Sequence, residues 1–277
     1  MPEGDTVLLT ARRLDAALSG RALERAELRW PRVPVDDLTG TQVLRTWAYG
    51  KHILTELADG RTLRTHLRMD GSWRVARTGT AGARAAGSRV RAVLANTTWT
   101  CVGDQLGMLD LVRTRDLHTL LGHLGPDILA DSFLPDPGAE DAGAGLAEAV
   151  RRASSDPGRP IGDVLLDQQV VAGIGTLFAA EGLFELQVWP WDPVDSCDLA
   201  SLLTAIRRNL VRGVVRPVDG RRVHVHARRG RPCVRCGTPL ERGTSGIPPR
   251  DRPMFYCPRC QVPSSGAERQ DATNPAP

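Results

Sequence analysis

Lysine is almost absent from this 277-residue chain: of 36 basic residues, 35 are arginine, and Lys51 is the one lysine. Arginine cannot release its proton near neutral pH, whereas an amine on a flexible stem can donate, accept or form an imine. Lys51, in Tyr49-Gly50-Lys51-His52, is therefore a candidate for chemistry, with chance survival as the plain alternative. Long apolar runs are also missing, since none reaches about 18 residues, and no basic-apolar-small pattern at the N-terminus reads as a secretory signal. A membrane-spanning helix is therefore not expected, and a soluble, intracellular protein is. In a reducing compartment the six cysteines are not expected to pair as disulfides, and the four clustered late in the chain read better as metal ligands.

Charge is present but unevenly spread. From Arg207 to Cys260 there are fourteen arginines against three acidic residues, an excess of eleven, so the rest of a chain of net charge +4 is negative by seven. A basic C-terminal face suits a polyanion, because neutralising phosphates releases counterions. The length is enough for two domains.

Along the chain, Val7, Ala11, Leu14 and Leu18 fall on one helical face, and Gly20 supplies the stop. From Arg21 to about Arg115 short alternating runs, such as Ile53, Thr55 and Leu57, predict antiparallel strands forming a sandwich, with the Gly/Ala-rich stretch 78–88 a flexible loop. A short helix is predicted over 116–123. The stretch 132–145, rich in Pro, Gly, Asp and Ala, is the best linker. Helices are predicted over 144–154, 160–169, 176–186 and 198–212, and strand-like structure over 221–262. Residues 263–277 read as a disordered tail.

Cys233-x2-Cys236 and Cys257-x2-Cys260 are separated by 20 residues. Each Cys-x-x-Cys presents two thiolates to one ion, and two such knuckles complete a closed tetrahedral zinc site. With no open position left for a substrate, one structural Zn2+ is expected, holding a hairpin too small to fold alone. Arg250 and Arg252 lie within that hairpin and suit bidentate contacts to phosphate. Upstream, the run Leu165 to Thr176 joins two helices through Gly173 and Gly175. Such a turn exposes backbone N–H groups at the next helix start, where the dipole favours an anion. Alone, it equally fits a turn that only packs.

Met1-Pro2-Glu3-Gly4-Asp5 opens the chain. A small second residue permits removal of the initiator Met, leaving Pro2 with a free secondary amine, and α-amino groups titrate near pH 8. Such an amine can attack a sugar C1′, and Glu3 is placed to shuttle protons. Proline is a common second residue, so Pro2 alone does not mark a site.

Taken in order, Met1-Pro2-Glu3-Gly4, Gly50-Lys51, His66-Leu67-Arg68-Met69-Asp70-Gly71, Leu124-Gly125-Pro126-Asp127, the run 165–175 and the cysteine pairs resemble the formamidopyrimidine-DNA glycosylase and endonuclease VIII family over residues 2 to about 261. The resemblance implies an α+β fold: an N-terminal antiparallel β-sandwich with a leading helix over 2–131, a linker over 132–145, a helical helix-two-turns-helix DNA-binding domain over 146–220, and a four-cysteine zinc-finger hairpin over 221–262. It implies a bifunctional glycosylase and AP lyase of base excision repair, in which a lesion base is flipped out and Pro2 forms a Schiff base with the deoxyribose. Glu3 would act as the acid/base, Lys51 would assist phosphate binding and elimination, and Arg252 would grip phosphates and help β,δ-elimination. His66, Met69, His123, Gly175 and Thr176 would contact DNA.

Three departures qualify the match. Thr6 and Thr176 stand where the family often has an acidic residue and an Asn. Asp104-Gln105-Leu106-Gly107 lacks the Arg-x-Phe that the formamidopyrimidine branch uses beside Met69 to fill the flipped base's place. With Gly4 and Trp73, this leans toward the endonuclease VIII branch, of actinobacterial type, and oxidised pyrimidines. That branch's loop residues are not reproduced either, because Arg68, Met69 and Asp70 occupy their place and His123 stands for its usual Arg. An oxidised-purine glycosylase, a catalytically weakened lesion-binding protein of the same fold and an unrelated zinc-ribbon adaptor stay open as alternatives. The expected partner is damaged double-stranded DNA, with single-stranded or bubble DNA also open. The protein is expected to be a monomer at the nucleoid in the cytoplasm, with no membrane.

Overall fold

A computed structural model of the chain describes residues 2–31, 33, 37–134, 143–217, 220–221, 223–249 and 251–264. The chain divides into two compact units, 1–123 and 124–277.

In the first unit, helix α1 (Gly4–Leu18) buries the face that its spacing marks: Val7, Ala11, Leu14 and Leu18 are all at most 1% exposed. The Asp15 carboxylate accepts the backbone N–H of Thr46 at 2.6 Å, which ties the helix to the strand carrying that residue. Eight antiparallel strands follow: β1 (Arg25–Leu28), β2 (Val43–Tyr49), β3 (His52–Leu57), β4 (Arg61–His66), β5 (Ser72–Arg77), β6 (Val90–Ala95), β7 (Trp99–Asp104) and β8 (Met108–Arg113). They form two four-stranded sheets, ordered β2-β3-β4-β8 and β1-β6-β7-β5. Ile53, Leu57, Leu63 and Leu109 from one sheet and Trp73, Ala92, Leu94 and Cys101 from the other share one core with α1. Burying a large aliphatic side chain there stabilises the unit by about 1.5–3 kcal/mol. Trp73 closes the sandwich by donating its indole N–H to Thr65 Oγ1 at 3.2 Å.

The predicted helix over 116–123 is a 3-10 turn, Thr114–Asp116, followed by the single-turn α2 (His118–Leu121). The stretch 78–88, expected as a flexible loop, contains local structure. It carries a 3-10 turn at Ala81–Ala83, and Arg74 and Arg29 donate to its carbonyls at Arg84 and Ala85.

The second unit holds α3 (Ala144–Ala153), α4 (Ile161–Leu166), α5 (Thr176–Glu185), α6 (Leu199–Val215) and a hairpin of β9 (Glu241–Ser245) and β10 (Arg252–Tyr256). Phe178, Leu183, Leu202, Ile206, Leu240 and Met254 lie in its core, so helices and hairpin share one apolar interior. Helix α4 stops at Leu166, short of the predicted 169, because the Asp167 side chain accepts the Gln169 N–H at 2.9 Å and pairs with Arg159 at 2.9 Å. That local bond offers the backbone a turn in place of another helical step. Among the described residues of 221–262, only β9 and β10 are strands. Much of the remainder is turns, including the knuckle that a bridge between Pro232 and Pro239 closes.

The predicted linker 132–145 contains Phe133, which is fully buried in the second core, and the start of α3. Its residues 135–142, most of the predicted tail (265–277), Met1 and Arg250 lie outside the described residues. Among the described residues no helix is long and apolar enough to cross a membrane. The fold is α+β, with a two-sheet antiparallel sandwich behind a leading helix in one unit and helices with a four-cysteine hairpin in the other.

Candidate active site and metal centre

The N-terminal arm places Pro2 half-buried and Glu3 at the N-cap of α1, where the Glu3 carbonyl accepts the Val7 N–H at 3.0 Å. Glu3 is 2% exposed. A carboxylate at this end is favoured by the helix dipole. Asp5 is fully buried, and its Oδ1 accepts the Thr6 amide at 2.6 Å and the Thr6 hydroxyl at 3.3 Å. The Thr6 side chain is thus directed at a neighbouring carboxylate.

Lys51 sits at the tip of the β2–β3 hairpin. The register pairs Tyr49 with His52, leaving Gly50-Lys51 as a two-residue turn in which Gly50 has φ +56°, the left-handed geometry such tight hairpins need. On β4, His66 pairs with His52, and the two rings meet edge to face with centroids 4.9 Å apart. Burial, then His66, Arg64, His123 and Lys51, pushes His52 down to about 3. Burial, then Lys51, Arg68 and Arg64, pushes His66 down to about 4. Such shifts leave both imidazoles neutral at pH 7, beside Lys51, Arg64 and Arg68.

Two loops flank this pair. In the first, Arg68 donates its N–H to His66 Nδ1 at 2.8 Å and adopts φ +51°. Gly71 closes the turn on the Leu67 carbonyl at 2.9 Å, and Met69 projects from it with 63% exposure. In the second, Leu106 is buried, while Gly107 donates to the His66 carbonyl at 2.9 Å. His123 is exposed after α2, whose Leu120 carbonyl accepts from Arg64 at 3.2 Å. Arg64 is paired to Asp110 at 2.7 Å.

In the second unit, the turn between α4 and α5 is stapled by Gln168. Its amide N–H groups reach the carbonyls of Leu166 and Ile174 at 3.1 and 3.0 Å, and its Oε1 accepts the Gly173 N–H at 3.0 Å. The motif Leu124 to Asp127 braces the same turn, with Gly125 N–H donating to the Gln168 carbonyl at 2.8 Å and Ala172 N–H to that of Pro126 at 2.9 Å. A Cβ at Gly125 would drive into the Val170 carbonyl. Gly175 caps α5, and Thr176, its first residue, is 6% exposed.

The four cysteine sulfurs lie within 4.8 Å of one another. Cys233 and Cys260 sulfurs are 3.9 Å apart, and those of Cys236 and Cys257 3.5 Å. Thiolates at ~2.3 Å from a tetrahedral zinc sit about 3.8 Å apart, so the set fits such an ion. Backbone N–H groups of Arg235 and Cys260 point at the Cys233 and Cys257 sulfurs, each at 3.4 Å. Gln261 then fastens the second knuckle, accepting the Cys257 N–H and donating to the Val188 carbonyl. Arg252 is exposed at the start of β10.

Sequence reasoning passed over three residues that organise these places: His52, Gln168 and Glu181. Glu181 is the one detectable signal, an acid in the middle of the otherwise apolar α5 sequence Thr-Leu-Phe-Ala-Ala-Glu-Gly-Leu-Phe.

Residues 1–109 match the family model of the formamidopyrimidine-DNA glycosylase N-terminal domain. The chain is 40% identical to the probable endonuclease 8 2 of Streptomyces coelicolor, over 95% of this chain and 94% of that protein. It is 33% identical to the DNA-(apurinic or apyrimidinic site) lyase Nei2 of Mycolicibacterium smegmatis, over 95% of this chain and the whole of that one. The crystal structure of the MutM (Fpg) protein of Thermus thermophilus superposes with a TM-score of 0.72 at 27% identity, covering 94% of this chain and 98% of that one. Full-length identity at this level, on the same fold, is more than a shared architecture, and the chain belongs to the formamidopyrimidine-DNA glycosylase and endonuclease VIII family.

Proposed function

We propose that the chain is a bifunctional DNA glycosylase and AP lyase of base excision repair that removes oxidised bases, with oxidised pyrimidines preferred. Pro2, freed of Met1, supplies the nucleophile. Its secondary amine forms a bond to C1′ as the glycosidic bond breaks and the base leaves with a proton, and opening of the sugar gives an iminium. Loss of the C2′ proton then expels the 3′ phosphate, a second elimination expels the 5′ phosphate, and water releases Pro2. Glu3 moves the protons, and Lys51 and Arg252 hold phosphates and assist elimination. The observation that carries this reading is the burial of Glu3 beside Pro2 at the first turn of α1, in a chain of this family.

DNA contacts are assigned to His66, Met69 and His123 in the first unit and to the backbone of Gly175 and Thr176 and the Arg252 side chain in the second. The metal is one Zn2+, held by Cys233, Cys236, Cys257 and Cys260; when bound it supplies rigidity to the hairpin and no chemistry at the sugar. The partner is damaged double-stranded DNA, met by a monomer at the nucleoid. Pyrimidine preference is supported by the endonuclease 8 names of the relatives and by the buried Leu106, which leaves Met69 the one strongly exposed apolar side chain on these two loops.

A weakened, lesion-binding protein is the second reading, favoured by the buried Thr176 and by a Thr6 hydroxyl already engaged with Asp5. One experiment separates the two. Duplex DNA with an abasic site or thymine glycol is incubated with the protein and reduced with borohydride. A covalent adduct that Pro2→Gly abolishes is expected; binding without any adduct would remove the enzymatic reading.

A further inference from the structure

We propose that His52 is a positioning residue whose edge-to-face contact holds the His66 ring in place to accept the Arg68 amide at Nδ1, and so shapes the loop carrying Met69. The proposal rests on the reading of this unit as the one that engages the lesion.

The argument begins at Arg68. Its backbone is left-handed at φ +51°, a conformation that a side chain with a Cβ adopts only when something holds it. A 2.8 Å bond from the Arg68 N–H to His66 Nδ1 holds it, beside the Gly71 N–H that closes the same turn on the Leu67 carbonyl at 2.9 Å. That bond exists only if Nδ1 carries a lone pair, which requires the neutral ring with its proton on Nε2. Protonation would set two donors against each other and loosen Arg68 within the turn from which Met69 projects.

His66 therefore has to stay neutral, and its surroundings enforce this from every side. Burial lowers its proton affinity first, and Lys51 of the hairpin, Arg68 of the loop and Arg64 of β4 lower it further. The carboxylate of Asp110, on β8, is taken up by Arg64 at 2.7 Å. His52 supplies the wall: its ring lies across the register pair at 4.9 Å and is itself held neutral by burial, by His66, Arg64, His123 and Lys51. His52 Nδ1 is buried with no hydrogen-bond partner among the described residues, so the ring's evident contribution is its contact with His66.

The test is nitrogen NMR of the His66 ring combined with a pH profile of base excision. In the intact protein His66 is expected as the Nε2–H tautomer, staying neutral to about pH 4. In His52→Ala the ring gains solvent and its titration moves up toward the ordinary histidine value. An ordinary imidazole is protonated about ten to one at pH 5.5. Excision of thymine glycol by His52→Ala is therefore expected to fall about tenfold from pH 7.5 to pH 5.5 relative to the intact protein. His52→Phe, which keeps an aromatic edge, is expected to restore the intact profile. Should His52→Ala fail to fold, His52→Leu fills the volume without that edge. An Nδ1–H tautomer in the intact protein, or a His66 titration that these variants leave unmoved, would overturn the proposal. Absence of a borohydride-trapped adduct in the intact protein would remove the enzymatic reading instead, and the NMR measurement would still decide the role of His52.

Discussion

Glu181 shows how much one side chain can organise. It lies on α5, is 4% exposed, and its two carboxylate oxygens accept the backbone N–H groups of His224, Val225 and His226 at 2.8, 2.9 and 2.9 Å. A buried carboxylate is costly unless hydrogen-bonded, and here three donors from one segment satisfy it. The bonds in turn fix a stretch of chain that has no helix or strand of its own to hold it. Glu181→Gln keeps the shape but replaces one acceptor oxygen with a donor, so it is expected to destabilise the protein by about 1.5–3 kcal/mol, the worth of hydrogen bonds to a charged group. A urea midpoint shifted to lower concentration at unchanged slope is the expected readout, and an unchanged midpoint would mean the cradle is dispensable. The same scale holds the proposed chemistry: Pro2 and Glu3 are adjacent in sequence and so needed no folding to be considered together. His52 gave no local sign, since a histidine in a strand is as readily a packed ring as a working one.

Among the elements, periodicity carried most of the information. Helix α1 buries the four residues its spacing marked, and α5 starts at Thr176 where the Gly-rich turn indicated. The turn itself was legible as a turn, but its brace was not. Gln168 closes it from inside, and Leu124 to Asp127 lies alongside it through hydrogen bonds that span some 40 residues of chain. The hairpin of β9 and β10 has little core of its own; it is anchored by Trp191 N–H donating to the Thr244 carbonyl at 2.8 Å and by packing of Trp189 and Trp191 on Tyr256. A metal held by the four cysteines would complete such an element, because its site does not persist in the unfolded chain. Metal analysis is expected to return about one zinc per chain, and a strong chelator to lower the thermal midpoint. A metal-free protein with an unchanged midpoint would contradict the assignment.

For the molecule as a whole, the decisive quantity is where the charge lies. Eleven excess positive charges between Arg207 and Cys260 suit a polyanion, whereas the rest of the chain is net negative. Arg252 is exposed at the foot of β10, so Arg252→Ala is expected to weaken DNA binding about equally at all sequences and to reduce the slope of log affinity against log salt by about one. Binding isotherms across a salt series measure both, and an unchanged slope would take Arg252 out of phosphate contact. The amino-acid sequence by itself determined the apolar face of α1, the thiolate spacing, the charge asymmetry and the order of motifs that marks the family, because each is written in neighbouring residues or in simple counts. Tertiary structure alone decided that His52 lies on His66, that Glu181 gathers residues 224–226 and that Gly125 meets Val170. Those contacts join positions far apart in the chain, and they depend on strand register and on how closely two backbones approach, which no local pattern encodes.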